Sequence, residues 1–241
     1  MSLESVTEFI DSIRQDSKGW DQRWFRGQSR TWGLVPSVLR GDYNEHTLLT
    51  WFQLRAPAMG ATPNLASLSE WMFLMQHHQV PTRLLDWTES ALIALFFAVY
   101  NKNTCIHPCV WMLDPFALNE LTTEQRAVHQ PWSRTAEEYF ANAVDPKPSF
   151  KNNLPLAICA LHRHRRMSSQ QSCFTIHGLD SASIEEQTRK TLVANGRLIK
   201  YEFNPEARAD IILDLKVLGI TYSVLFPDLD GLARDIRAEY E

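Results

Sequence analysis

The chain has 241 residues, with 24 Lys+Arg against 28 Asp+Glu, 44% hydrophobic residues and eight Trp. Such length and apolar content fit one large domain with a sizeable core, and a formal charge of −4 supplies no global field to draw in nucleic acid, although a local basic patch stays open. No apolar run reaches a bilayer span, MSLESVTEF is no secretory leader and four cysteines form no disulfide framework, which predicts a cytoplasmic chain with no membrane partner.

Val6, Phe9, Ile10 and Ile13 recur at helical spacing, so the chain opens on an amphipathic helix. Trp24-Phe25 reads as a short buried strand broken at Arg26-Gly27-Gln28, where glycine permits a close approach and the arginine is aimed across a cleft. Guanidinium groups hold phosphates and carboxylates through paired hydrogen bonds, which makes Arg26 a candidate ligand contact. A surface arginine beside a turn is the plainer reading. Trp32 to Pro36 return to the core, and Leu48 to Met59 repeat as a helix.

The stretch Leu74 to Tyr100 organises the rest. Ser67 and Glu70 have capping-box spacing, and Trp71, Leu74, Met75 and His78 share a helical face until Pro81 stops it. Thr88 is the expected N-cap of the next helix, and Ala91 to Tyr100 is apolar on every side. Between the two helices, Thr82, Arg83, Asp86 and Trp87 read as an irregular loop. Burying either charge is costly unless it is paired, so Arg83 and Asp86 either pair with each other as a structural clamp or face a polar pocket. With a pocket there, the second helix offers N–H groups to an anion while His77 and Thr88 face the cavity.

Val110 to Leu113 is a strand closed by Asp114-Pro115. Asn119 to Phe150 is polar, helical around Ala136 to Val144, and is assigned as an insertion or lid (119–150) in an otherwise single domain over 1–241. Leu156 to Leu161 and Cys173 to His177 read as strands on either side of the basic run His162-Arg163-His164-Arg165-Arg166. That run is either a solvated face or a rim for a phosphorylated ligand or an RNA or protein target. Ser183 to Glu186 is a second capping box, opening a helix that ends near Gly196. Leu198 to Phe203 alternates as a half-buried strand, and Pro205 starts a helix to Leu218. A turn at Leu225 to Gly231 leads into a charged amphipathic helix. The fold class is α+β, a small irregular sheet with helices packed around it.

Phe25-Arg26-Gly27, then QHHQVPTRLLDWT, Phe96-Phe97-Ala98, Phe174 and the closing GITYSVLFPDLDGLA resemble the FRG domain family over nearly the whole chain. Two positions depart from it: the family has glycine where Gln79 stands, and another near Ser172-Cys173, just after Gln171. A second, shorter similarity is to ADP-ribosyltransferases, in the aromatic-Arg-Gly of an early strand and the Trp-Thr step into Ala-Leu-Phe-Phe-Ala. It implies an ADP-ribosyltransferase-like fold with NAD as substrate. On that resemblance Arg26 grips phosphate or ribose, His77 orients a ribose hydroxyl, and Trp87 or Phe97 stacks the nicotinamide.

The catalytic set is therefore Arg26, His77 and Asp86, with Glu202 as a further carboxylate. Gln28, Arg83, Trp87, Thr88 and Gln171 join Arg26 in the nucleotide-binding set. The expected activity is ADP-ribosyl transfer from NAD, or NAD cleavage, in a bacterial defence or toxin setting. A non-catalytic nucleotide- or partner-binding module is the first alternative. A metal-independent nuclease using His77, His78, His162 and His164 is the second. Cys105, His107 and Cys109 lack a second ligand pair at zinc spacing, so no metal is assigned.

Overall fold

The computed structural model describes residues 2–60, 63–64, 66–101, 104–160, 165–238 and 240. The first helix, α1 (Val6–Asp16), is capped by the Ser5 hydroxyl and buries Val6, Phe9 and Ile13. β1 (Trp24–Gln28) follows and runs straight through the expected break at Arg26-Gly27-Gln28. Gly27 makes this possible. A Cβ at that position would lie 1.8 Å from the Ala94 carbonyl oxygen, so only glycine lets the next-but-two helix press its backbone on the strand.

α2 (Glu45–Arg55) is capped by Asn44 and passes into a 3-10 turn over Ala56–Met59. In α3 (Leu68–His77), Ser67 accepts from the Glu70 N–H as its spacing predicts, while the Glu70 carboxylate accepts from the Asn64 N–H. The next segment departs from expectation. Leu84–Thr88 is a strand, β2, rather than a loop. Its two faces are both buried except at Asp86, so no polar alternation marks it in the sequence. α4 (Ala91–Val99) is capped by Ser90 in place of Thr88, because Thr88 is held in the strand.

β3 (Cys109–Leu113), α5 (Pro115–Thr123) and α6 (Arg134–Val144) come next. Inside the 119–150 stretch, Tyr139 and Phe140 are buried against the body. β4 (Leu156–Cys159), α7 (Arg165–Ser169) and β5 (Ser172–Ile176) follow. α8 (Ile184–Gln187) has both halves of the predicted capping box and continues as a π-helical turn over Arg189–Val193. β6 (Leu198–Glu202), a 3-10 turn at Pro205–Ala207, α9 (Arg208–Val217), α10 (Tyr222–Leu225) and α11 (Leu229–Ala238) complete the chain. Among the described residues, no helix is long and apolar enough to cross a membrane.

The strands form one antiparallel sheet in the order β4-β5-β2-β1-β3-β6. The α+β class is as the sequence predicts. One face is covered by two groups of helices. Phe25, Val110 and Met112 pack with α1, α4 and α9, whereas Leu84, Phe174 and Ile176 pack with α3 and α6. The other face buries Trp24, Leu85, Trp87 and Trp111 with Leu118 and Ile184.

Candidate functional site

The centre of the sheet is where its pairing fails. β1 is zipped to β3 along its full length, from Trp24↔Leu113 to Gln28↔Cys109. To β2 it has a single rung, Phe25↔Thr88. Beyond that rung the two strands diverge into a fork, and a cavity of about 570 Å³ lies there. Its lining includes Arg26, Gly27 and Gln28 from β1, Leu84 to Thr88 from β2, Gln76 and His77 from α3, and Phe97 from α4. Such a volume suits a small-molecule ligand.

Arg26 bridges the fork. Nη1 donates to the Asp86 carbonyl at 2.7 Å, a backbone group that a continuous ladder would have paired, and it lies 3.8 Å from the Asp86 carboxylate. The side chain is only 18% exposed, and its Nε has no hydrogen-bond partner among the described residues. Burial holds the Arg26 pKa below its ordinary value; Asp86 opposes this and Arg40 adds to it. The FRG motif thus has a physical division of labour. Phe25 fills the core, Arg26 replaces missing ladder pairing, and Gly27 admits α4.

Asp86 is 55% exposed and points its carboxylate at the cavity. Gln76 Nε2 donates to Oδ2 at 2.6 Å, and the Thr82 hydroxyl donates to Gln76 Oε1 at 2.5 Å, so a short polar chain sets the orientation of the carboxylate. Arg83 does not pair with Asp86. Its guanidinium holds Glu45 of α2, with Nε 2.8 Å from Oε2 and Nη2 on the same oxygen, and donates to the Gly178 carbonyl at 3.2 Å. Both partners are nearly buried, with side chains 12% and 9% exposed. The clamp exists, and its carboxylate comes from 38 residues upstream.

The predicted residues divide accordingly. Arg26, Gln28, His77, Asp86, Trp87 and Thr88 all line the one cavity. Three of these are already committed. Gln28 Oε1 accepts from the Trp111 indole at 3.1 Å. The Thr88 hydroxyl donates to the Gln170 carbonyl at 2.7 Å and accepts from the Ser90 N–H. The Trp87 ring is 3% exposed, its indole donates to Thr175, and it packs in the opposite-face core, so Phe97 is the better stacking face. Arg83, Gln171 and Glu202 are outside the lining. Glu202 lies in β6, two strands from the fork, paired with Lys200 at 2.6 Å. The N-terminal turn of α4 is also outside the lining, so it offers no N–H groups to the cavity.

His78 stacks edge-on against His77 and is not part of the wall; His162 and His164 lie outside the described residues, with Leu161 and Arg163. Sequence reasoning missed Arg40, which lines the cavity, and reached Arg166, also in the lining, only as a member of the basic run read as a solvated face or a rim for a phosphorylated ligand. Arg40 donates from Nε to the Val35 carbonyl at 2.8 Å. Arg166 comes from the basic run, but no pattern singled it out within that run.

Gln79 and Gln171 have φ of 61° and 46°, left-handed values that cost an L-residue strain. They are the two positions at, or next to, which the resemblance drawn from the sequence expects glycine.

No curated protein and no solved structure matches the chain significantly. The family model of the FRG domain matches residues 21–105, a narrower span than the resemblance suggested. That segment contains both arms of the fork, whereas Arg166, Met167, Gln170, Ser172 and Phe174 complete the cavity from beyond it. The chain therefore carries an FRG domain over residues 21–105, and its cavity is finished by later parts of the same sheet.

Proposed function

We propose that the fork binds a nucleotide diphosphate of the NAD type and cleaves the bond between nicotinamide and ribose. The observation that carries this reading is the charge of the cavity. Among its described lining residues, Arg26, Arg40 and Arg166 face one carboxylate, Asp86, which leaves a formal excess of two positive charges. A dinucleotide diphosphate carries two negative charges. Guanidinium pairs suit phosphate oxygens, and the Phe97 ring together with the half-exposed Trp32 offers flat surfaces for the bases.

Breaking the glycosidic bond leaves positive charge on the ribose, while nicotinamide departs neutral. Asp86 is the carboxylate placed to stabilise that charge, held in orientation by Gln76. His77, in the same wall, is within the cavity for a ribose hydroxyl. Water or an acceptor side chain on a target then takes the ADP-ribosyl group and loses a proton.

Purified chain incubated with NAD is expected to release nicotinamide, read by chromatography. Asp86→Asn should abolish release and keep binding, whereas Arg26→Ala should lower affinity roughly 10- to 100-fold, the loss of charge-assisted bonds. No binding and no release would overturn the proposal. A second reading, recognition without turnover, is favoured by the bonds Asp86 already makes to Gln76 and towards Arg26. Tight calorimetric binding of NAD that is recovered intact would select it.

A further inference from the structure

Among the described lining residues, Arg166 is the guanidinium mounted on an aromatic ring. Its Cζ lies 4.4 Å from the centroid of Phe226, in the turn between α10 and α11. The same turn grips the segment that follows Arg166. The Leu225 carbonyl accepts from the Ser169 hydroxyl at 3.2 Å and from Gln170 Nε2 at 3.1 Å. Phe226 is also stacked on Tyr222 at 4.2 Å and meets Phe97, itself a cavity residue, edge-on at 6.1 Å. Gln170 in turn ties the segment to β2, through its carbonyl and the Thr88 hydroxyl. The Arg166-to-Gln170 part of the cavity wall is thus suspended between Thr88 and the Leu225-Phe226 turn.

A long cationic side chain at a cavity rim loses rotamer freedom when it binds an anion, and a platform that fixes it beforehand removes that cost. A ring face supplies such a platform without neutralising the charge, which a carboxylate would do. Arg26 and Arg83 show the two other ways this chain holds a buried guanidinium, by carbonyl and by carboxylate.

We propose that Phe226 is a positioning residue that presents Arg166 to the diphosphate of the ligand, so that the anion site of the fork is assembled from both ends of the chain. This deepens the reading above, on which it rests only for the presence of an anion site. Arg166 touches the phosphate, and Phe226 acts on the phosphate through Arg166.

The test is a double-mutant cycle on the full chain, read by calorimetry with inorganic pyrophosphate as probe and NAD in parallel. Arg166→Ala is expected to weaken pyrophosphate binding roughly 10- to 100-fold. Phe226→Leu, which keeps an apolar side chain in the turn, should weaken it about 3- to 30-fold, and Phe226→Tyr should restore it. In the Arg166→Ala background, Phe226→Leu should cost nothing further. A purely structural Phe226 would lower the melting temperature and affinity alike in both backgrounds, and that additivity would overturn the proposal, as would wild-type affinity in Phe226→Leu. Wild-type chain that binds pyrophosphate but not NAD leaves this inference standing and removes the NAD reading. Wild-type chain that binds neither removes both.

Discussion

Two arginines, Arg26 on β1 and Arg83 at the entry to β2, meet opposite fates. Around Arg83 every charge is answered: Glu45 holds the guanidinium from one side, the Gly178 carbonyl from another, and the whole group is nearly buried. Around Arg26 the answer is partial, with one carbonyl, a carboxylate at 3.8 Å and an Nε left over. The first arrangement is a closed clamp that joins α2 to the sheet. The second is an open one, stable in the folded chain yet retaining capacity for an anion. Burial alone does not tell a structural charge from a functional one; the completeness of its partners does.

The largest expected effect breaks the open side at its scaffold. Gly27→Ala puts a methyl 1.8 Å from the Ala94 carbonyl oxygen and 2.8 Å from the Ala98 nitrogen, backbone atoms that no rotamer change can move. Chemical denaturation should show a loss of more than about 4 kcal/mol, or no folded protein.

Breaking the closed side comes next. Arg83→Met leaves Glu45 buried without a partner and should cost about 3–5 kcal/mol, and adding Glu45→Leu should return most of it. On the proposed function, the same two changes made at Arg26 and Asp86 would not show that recovery in ligand binding, because there the charges would meet the ligand.

The closed side also has a pH signature. His177, whose N–H donates to the Arg83 carbonyl, is fully buried, and burial pushes its pKa down from 6.5 to about 4. The unfolded chain holds the extra proton between those two values. Stability should therefore fall as pH drops from 6.5 to about 4, by on the order of 3 kcal/mol, and then level off. Denaturant titrations across that range check it, with His177→Gln expected to lose this part of the slope.

The smallest effect sharpens the contrast at the cavity rim. Gln79→Gly relieves a left-handed φ of 61°, at the cost of a more flexible unfolded chain, and should stabilise by roughly 0.5–1 kcal/mol in a thermal melt. Its effect on affinity should be small.

What could be read in advance follows local chemistry. Ser67 capping α3 and the apolar run of α4 depend on neighbours within a turn or two, and both are where the sequence places them; the stop assigned to Pro81 comes earlier, after His77, where Gln79 turns the chain through a left-handed φ of 61°. That Phe25-Arg26-Gly27 and the Asp86 segment share one cavity was legible, since polar groups beside a buried helix need a reason to be there. For Arg83 the sequence leaves open a clamp to Asp86 or a polar pocket; the clamp exists, but its partner Glu45 lies too far off in sequence to be read there. β2 was missed as a strand since burial on both faces erases its alternation. Glu202 was chosen for its carboxylate alone, and β6 is too distant in the sheet. Arg40 belongs to no motif, and Arg166 stands out only as one of a basic run; tertiary placement brings both to the fork.

A sheet joined across its middle by one backbone rung is mechanically two half-sheets, β4-β5-β2 and β1-β3-β6, with α4 bolted over the seam. A molecule lodged in that seam gains leverage on both halves at once. Occupancy should therefore register throughout the domain as stiffening, in slowed amide exchange along both lips of the seam, well beyond the few side chains the molecule touches.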